Sequence, residues 1–215
     1  MDYKMSLSEM ANNLRCDKYV SHNYTGWYEL FFEKYKCDNF SLLEIGFGDG
    51  QSYKLWEQYF TNAKLYGIDI GHEYITNRGK IFKVDQSDLE QVKLATSEIK
   101  NCKIIIDDGS HVPEHQLKCF YYLFENLLEY NGIYVIEDIE CSYWRPESEV
   151  CGYPTGYLNI VDYFTKLNHS INSHYNNMEN PLNIKAITFI PNCIIIFKGN
   201  ESDKIKREYG FNYQL

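Results

Sequence analysis

The sequence predicts a doubly wound α/β fold built on a mostly parallel sheet. Short β-branched runs alternate with amphipathic stretches over residues 39–136, which is the pattern of successive strand–helix–strand units. Two of the runs, KIIIDD at 103–108 and IYVIED at 133–138, end abruptly in acidic residues. Buried parallel strands deliver side chains in this way to the carboxyl edge of a sheet, where such folds bind ligands.

Each element of this fold has its own signal in the chain. Strands are expected at 39–45, 64–70, 80–84, 103–106 and 133–136, and a hairpin at 184–190 and 193–197 adds two antiparallel strands, which makes seven. Helices are expected within 1–38, where Trp27, Leu30, Phe31 and Tyr35 define an apolar face, and at 89–99, 114–130 and 157–168. Asp88 is expected to cap the helix at 89–99. Residues 139–157 have no sustained period, so we expect a long loop that acts as a lid over the acceptor.

Composition limits the classes of function. A chain of 215 residues with 44% hydrophobic content is expected to form a single domain over 1–215. Its formal net charge of -9 disfavours a nucleic acid partner. No apolar run is long enough to span a membrane and no leader pattern is evident, so we expect a cytoplasmic protein without a membrane partner. The seven cysteines are scattered and never spaced as CxxC, which is typical of reduced thiols.

The glycine turn after the first strand indicates a nucleotide cofactor. Gly46, Gly48 and Gly50 lie between a strand and a helix, where they let a ligand approach the backbone. Asp69, at the end of the next strand, is placed to accept hydrogen bonds from two ribose hydroxyls. A plain tight turn is the alternative explanation for the glycines.

The residues around the turn favour S-adenosylmethionine over NAD. The dinucleotide fingerprint would place a glycine at Gln51, and Asp49 would repel a diphosphate at the helix amino terminus. S-adenosylmethionine carries no phosphate, and its ammonium group would suit Glu44 or Asp49. An NAD-dependent oxidoreductase on the same fold remains a competing hypothesis, as does a noncatalytic partner of another enzyme.

The acidic strand ends predict a metal site. If the strands at 103–106 and 133–136 are neighbours, Asp108, Glu137 and Asp138 converge at one edge of the sheet. Oxygen-only ligation is the preference of Mg²⁺, with Mn²⁺ or Ca²⁺ as alternatives. These acids could instead cap helices or bond backbone amides. His111 lies three residues beyond Asp108 and is the candidate general base, and Asp107 is the more structural acid of its pair.

Six motifs are spread along the chain: DKYVSHNYTGWY at 17–28, LLEIGFGDGQSYKLW at 42–56, YGIDI at 66–70, VDQSD at 84–88, IDDGSH at 106–111 and IEDIECSYW at 136–144. In these motifs the sequence resembles the S-adenosylmethionine-dependent, metal-dependent sugar O-methyltransferases, the group of macrolide-sugar and rhamnosyl O-methyltransferases with relatives in macrocin and cephalosporin biosynthesis. The chain departs from the pattern at Cys16 and Asp49.

The resemblance implies a Rossmann-like methyltransferase fold and a role for each motif. It implies that Asp108, Glu137 and Asp138 bind the metal and that His111 and Asp108 are catalytic. Tyr143 and Trp144 would form part of the acceptor lid. The cofactor contacts would come from Glu44, Gly46, Gly48, Asp69, Asp85, Gln86, Ser87 and Asp107.

The acceptor implied by the resemblance is a sugar hydroxyl. A deoxysugar, a nucleotide sugar or a glycan with neighbouring hydroxyls would suit a bound cation, and a catechol or another vicinal diol is the alternative. The product of the reaction would be a methylated sugar. A homo-oligomer is also possible in such a family.

Overall fold

The protein is described by a computed structural model that covers residues 5–173 and 181–200. Its chain divides into two compact units, Met1–Gly109 and Ser110–Leu215, which are taken in turn. The single domain over 1–215 stays a prediction.

Helices occupy most of the start of the first unit. They are α1 (Leu7–Leu14), α2 (Asp17–Val20), α3 (Thr25–Phe32) and a short 3₁₀ helix, Glu33–Tyr35. A capping box between Ser6 and Glu9 starts α1, because each side chain accepts a hydrogen bond from the other residue's backbone N–H.

The buried face of α3 differs from the predicted one. Tyr28 and Phe32 are buried, with ring centroids 5.1 Å apart, and Phe32 packs edge-on against Trp56. Trp27 and Leu30, which we expected to be buried, are 43% and 71% exposed, so that part of the prediction was wrong. Both faces of this helix carry apolar residues four positions apart, and the face that packs is the one with Tyr28 and Phe32.

The first unit contains five strands in the order β3-β4-β2-β1-β5. The strands are β1 (Ser41–Ile45), β2 (Lys64–Asp69), β3 (Tyr74–Thr76), β4 (Gly79–Lys83) and β5 (Cys102–Asp107), and the helices α4 (Gln51–Tyr59) and α5 (Leu89–Thr96) connect them. All pairings are parallel except that of the edge strand β3, which the sequence analysis missed. In the register of β1 with its neighbours, Ile45 lies opposite Ile68 and Asp107. The residues that follow β1, β2 and β5 therefore emerge at one edge.

The second unit contains an antiparallel group of three strands. Its elements are α6 (Pro113–Asn126), β6 (Leu128–Glu137), a 3₁₀ helix Ile139–Tyr143, β7 (Glu149–Val150), β8 (Tyr153–Pro154), α7 (Ile160–Ile171), β9 (Ile184–Ile190) and β10 (Cys193–Lys198). β10 pairs with both β6 and β9, and Cys193 lies opposite Glu137. The expected hairpin around Pro191-Asn192 is confirmed, whereas β6 begins five residues earlier than the predicted strand at 133, where we expected the end of a helix.

The lid segment, residues 139–157, is more ordered than an irregular loop. It opens with the 3₁₀ helix and contains the two-stranded β7–β8 hairpin. Thr155 ties its two sides together, because its N–H donates to the carbonyl of Ser148 and its Oγ1 to the carbonyl of Arg145. The expectation of a segment without regular structure was wrong, since two-residue strands are too short to leave a period-2 pattern.

Among the described residues the longest helix, α6, has 14 residues, and none of the helices there is long and apolar enough to cross a membrane.

Candidate active site

The turn after β1 needs glycine at its first position. Gly46 has φ +93°, and a Cβ there would overlap the backbone carbonyl of Asp108. Gly48 (φ +51°) and Gly50 (φ +77°) are also left-handed, but a Cβ on Gly48 would meet open space. The main chain of β1 thus passes directly against the chain that leaves β5, which only a glycine allows.

Asp49 occupies the amino terminus of α4 that a phosphate would need. Its Oδ1 accepts a hydrogen bond of 3.0 Å from the N–H of Gln51. A carboxylate at this place repels a diphosphate and uses a donor that would bind it. The turn therefore fits a phosphate-free cofactor.

Asp69 holds the glycine turn against the loop after β2. One carboxylate oxygen accepts from the N–H groups of Phe47 and Gly48, both at 3.1 Å. The other oxygen accepts from the N–H groups of Gly71 and His72, at 2.7 and 3.0 Å. Burial pushes the pKa of Asp69 upward, but these hydrogen bonds and the neighbouring His72 ring outweigh it and lower the pKa below its ordinary value. Asp69 is thus an ionised residue that holds the glycine turn and the loop after β2 together. Its contact with a ribose stays a prediction.

The Asp85-Gln86-Ser87 run is organised by its own side chains. Asp85 Oδ1 accepts from the N–H of Ser87 at 2.8 Å. Gln86 Nε2 donates to both carboxylate oxygens of Asp107, at 2.8 and 2.9 Å, and both residues are buried. Asp107 is therefore tied into the protein, in line with its expected structural character, and the cofactor contacts of this run and of Asp107 stay predictions.

A buried lysine joins two of the candidate acids within the first unit. Lys18, in α2, has no exposed surface, and its Nζ lies 2.6 Å from Asp108 Oδ2 and 3.3 Å from Glu44 Oε1. Glu44 Oε2 also accepts from Ser52 Oγ at 2.7 Å and from Trp56 Nε1 at 3.2 Å. Burial raises the pKa of Glu44, although the ammonium group of Lys18 opposes that shift.

Sequence reasoning missed Lys18. The residue stands in the DKYVSHNYTGWY motif that carries the resemblance, but no chemistry was assigned to it, because its partners lie 26 and 90 positions away. Glu44 was expected to meet the ammonium group of the cofactor. That role stays a prediction, and in the structure the ammonium group that faces Glu44 is that of Lys18.

His111 and Asp138, in the second unit, both have left-handed backbones. Their φ angles are 57° and 52°, and His111 Nε2 lies 4.0 Å from Asp138 Oδ2. A left-handed conformation costs about 1–2 kcal/mol for a residue with a side chain. His111 Nδ1 is buried and has no hydrogen-bond partner among the described residues. Two strained residues thus place an imidazole and a carboxylate side by side.

The neighbours of Asp138 fix its surroundings. Asn192, in the β9–β10 turn, donates from Nδ2 to Asp138 Oδ1 at 3.0 Å. Glu137 is 1% exposed, and its carbonyl accepts from Gln116 Nε2 at 3.0 Å. The part of Glu137 in metal binding stays a prediction.

The lid segment presents two aromatic rings, and a hydrogen bond from Asn159 anchors it beside them. Tyr143 and Trp144 are 68% and 44% exposed, as residues that stack on an acceptor would be. Asn159 caps α7 and donates to the carbonyl of Ser142 at 3.1 Å, which anchors the lid next to Tyr143. Their contact with a substrate stays a prediction.

The set of donor groups fits a hard cation and proton transfer. The first unit offers the half-buried carboxylate of Asp108, and the second unit offers the half-buried His111 and Asp138; oxygen donors are what Mg²⁺ and Mn²⁺ prefer. A half-buried imidazole beside a carboxylate can accept a proton and be stabilised once charged.

Sequence comparison finds O-methyltransferases. The chain is 34% identical over 147 residues to 8-demethyl-8-alpha-L-rhamnosyl tetracenomycin-C 2'-O-methyltransferase of Streptomyces olivaceus, covering 64% of this chain and 39% of that protein. It is 32% identical over 151 residues to demethylmacrocin O-methyltransferase of Streptomyces fradiae, covering 66% and 38%. It is 32% identical over 169 residues to L-olivosyl-oleandolide 3-O-methyltransferase of Streptomyces antibioticus, covering 72% and 44%. The chain therefore spans less than half the length of these relatives, and no family model matches it.

Structural comparison finds the same kind of protein. The MycE methyltransferase from the mycinamycin biosynthetic pathway, solved with Mg and SAH, superposes with a TM-score of 0.78 at 26% identity, covering 92% of this chain and 55% of that one. A structure of MycE that also contains mycinamycin VI matches with the same score. The SAH-bound Podospora anserina methyltransferase PaMTH1, at 17% identity and a TM-score of 0.51, shares the fold. These matches confirm the predicted fold class.

Proposed function

We propose that this chain, a homologue of the S-adenosylmethionine-dependent sugar O-methyltransferases, transfers a methyl group from S-adenosylmethionine to a hydroxyl of a sugar. The observation that carries the proposal is the left-handed pair His111 and Asp138, which sets an imidazole beside a carboxylate at the end of a strand. Backbone strain of this kind clusters at functional sites, and a neighbouring carboxylate stabilises a histidine that has accepted a proton.

The cation would be held by the acidic strand ends. We assign Asp108, Glu137 and Asp138 as the residues that bind Mg²⁺ or Mn²⁺, since Asp108 and Asp138 each offer a ligand atom and Glu137 precedes Asp138. When bound, the cation would lower the pKa of the acceptor hydroxyl and supply positive charge to the developing alkoxide.

His111 would take the proton. Its imidazole would accept the proton of the acceptor hydroxyl as that oxygen bonds to the methyl group and the methyl–sulfur bond breaks, so that S-adenosylhomocysteine leaves. The Asp138 carboxylate, 4.0 Å from Nε2, would stabilise the resulting imidazolium. Asp138 would thus act in two ways, because we also assign it to the cation.

The cofactor would lie along the edge formed by β1, β2 and β5. S-adenosylmethionine, when bound, supplies an electrophilic methyl group on its sulfonium. The turn is open at Gly48, where a Cβ would meet nothing within 4 Å, and Asp49 disfavours phosphate there. We assign its binding to Glu44, Gly46, Gly48, Asp69, Asp85, Gln86, Ser87 and Asp107.

The acceptor would be a sugar held under the lid. The curated relatives are named for methylation of rhamnosyl, macrocin and olivosyl groups, which supports a deoxysugar, a nucleotide sugar or a glycan here. The exposed rings of Tyr143 and Trp144 suit stacking on a sugar face. We place the acceptor among small molecules of the cytoplasm, and the acidic net charge of -9 disfavours a nucleic acid as the acceptor.

The test is methyl transfer from labelled S-adenosylmethionine to a panel of deoxysugars, nucleotide sugars, glycans and catechols, with and without EDTA. We expect label in a sugar, loss of transfer in EDTA, and recovery on adding Mg²⁺ or Mn²⁺. Transfer that ignores EDTA would refute the metal assignment, and transfer to catechols alone would replace the acceptor class. Tight binding of NAD with no response to S-adenosylhomocysteine would refute methyl transfer itself.

A further inference from the structure

Asn192 is the second residue of the two-residue turn between β9 and β10. It follows Pro191 and has φ 58°, the combination that a type II turn requires. Asparagine is one of the few residues with a side chain that accept this conformation readily. The turn therefore explains a left-handed residue at 192, but glycine would serve the turn equally well.

The contacts of Asn192 go beyond its turn. Its Nδ2 donates to Asp138 Oδ1 at 3.0 Å, and its Oδ1 accepts from the N–H of Glu140 at 2.8 Å. Its backbone carbonyl accepts from the N–H of Ile139 at 3.3 Å. Asn192 thus contacts the side chain of Asp138 and the main chain of Ile139 and Glu140.

These contacts stabilise a local structure that is otherwise costly. Asp138 is left-handed and immediately precedes the 3₁₀ helix Ile139–Tyr143, whose first N–H groups have no partner within the helix. Asn192 satisfies two of those groups, as an N-cap residue would, although it comes from another element.

The same contacts decide how the Asp138 carboxylate is presented. Oδ1 is engaged by the Asn192 amide, while Oδ2 faces His111 Nε2 at 4.0 Å. Rotation of the carboxylate would break the bond to Asn192. The amide nitrogen therefore holds the carboxylate in an orientation that leaves its other oxygen towards the imidazole.

We propose that Asn192 is a positioning residue that orients Asp138 for cation binding, without itself touching the cation or the acceptor. This inference rests on the proposed function, in which Asp138 is a metal ligand. Partners of metal ligands commonly change metal affinity about ten- to a hundredfold when removed.

Two substitutions separate the contacts of Asn192. Asn192→Gly keeps a left-handed turn and the backbone carbonyl but removes both side-chain bonds. Asn192→Asp keeps an acceptor for the N–H of Glu140 and replaces the donor to Asp138 by a carboxylate oxygen, which repels the Asp138 carboxylate from its present orientation. The matched control is Asn183→Gly, because Asn183 is also left-handed (φ 54°) and its Nδ2 donates to the carbonyl of Asn200, away from the candidate site.

The measurement is Mn²⁺ affinity of the purified protein, by electron paramagnetic resonance without acceptor, together with amide hydrogen exchange of Glu140. We expect both Asn192 variants to bind Mn²⁺ about ten- to a hundredfold more weakly than the natural chain and Asn183→Gly. Exchange at Glu140 should accelerate in Asn192→Gly only, and binding of S-adenosylhomocysteine should not change in any variant.

The outcomes separate this inference from the proposed function. If both Asn192 variants bind Mn²⁺ as tightly as the natural chain does, the positioning role is overturned. It is also overturned if the natural chain binds no Mn²⁺. A natural chain that binds Mn²⁺ but methylates no sugar refutes the proposed function, while weakened Mn²⁺ binding in the two variants still supports the inference. Loss of S-adenosylhomocysteine binding together with Mn²⁺ binding would indicate general unfolding and would also count against it.

Discussion

Lys18 Nζ lies 2.6 Å from Asp108 Oδ2, and the lysine side chain is only 1% exposed. The same ammonium group lies 3.3 Å from Glu44 Oε1, so one buried cation compensates an acid within β1 and an acid directly after the neighbouring strand β5. Burying an ionised group without a partner is costly, and Lys18 makes this pair of acids tolerable in the first unit.

Replacement of Lys18 by methionine keeps most of the aliphatic side chain and removes its ammonium group. The protein should be destabilised by about 3–5 kcal/mol, because Asp108 and Glu44 lose their cation. Urea unfolding followed by circular dichroism measures the difference. The control is Lys93→Met, which breaks an exposed 2.7 Å pair with Glu90 and should change stability by less than about 1 kcal/mol. Equal effects of the two substitutions would contradict the buried role of Lys18.

Glu44→Gln should change the pH dependence of stability. Burial raises the folded-state pKa of Glu44 above its ordinary value of 4.5, so the folded protein binds the proton more tightly than the unfolded chain does. The natural chain should therefore lose stability relative to Glu44→Gln as the pH rises from 4.5 through the raised pKa. Unfolding by urea at a series of pH values checks this. A pH-independent difference, like that expected for the exposed control Glu90→Gln, would contradict it.

Gly46→Ala and Gly48→Ala should differ sharply although both positions have positive φ. The new Cβ at position 46 would overlap the carbonyl of Asp108, whereas at position 48 it would meet nothing within 4 Å. We expect a loss of more than about 4 kcal/mol for Gly46→Ala and only the conformational cost of about 1–2 kcal/mol for Gly48→Ala. Thermal unfolding distinguishes them. Similar midpoints for the two variants would rule out the close approach at Gly46.

His111→Ala should reduce methyl transfer by about 10²- to 10⁴-fold, since a positioned general base contributes a factor of that size. Binding of S-adenosylhomocysteine, measured by calorimetry, should stay unchanged because only proton transfer is removed. His169→Ala, at an exposed position of α7, serves as the control and should retain full transfer. Full transfer by His111→Ala would exclude this residue as the base.

Local patterns in the sequence were sufficient for most of the strands. The run at 184–190 coincides with β9, and the run at 64–70 extends one residue beyond β2, because β-branched segments bounded by turn residues leave little freedom in assignment. Asp88 caps α5 as expected, with its side chain accepting from the N–H groups of Glu90 and Gln91.

Long-range partners were outside the reach of the same patterns. Lys18 meets Asp108 across 90 positions, and Asn192 meets Asp138 across 54, so no periodicity or spacing could connect them. Both are single polar residues whose contribution depends on tertiary packing, which overrides local preference. The strand ends predicted which acids are delivered to an edge, but not which side chains would orient them.

The position of Asn192 in the last hairpin affects the order in which the protein can be assembled during synthesis. The ribosome makes the glycine turn at 46–50 and the strand that ends at Glu137 well before it makes Asn192. Segments that are made early begin to fold first. A nascent chain at that stage lacks the residue that holds the carboxylate of Asp138 and the first turn of the following 3₁₀ helix. The acid that we assign to the cation would therefore acquire its final orientation only when nearly all of the described chain has been translated.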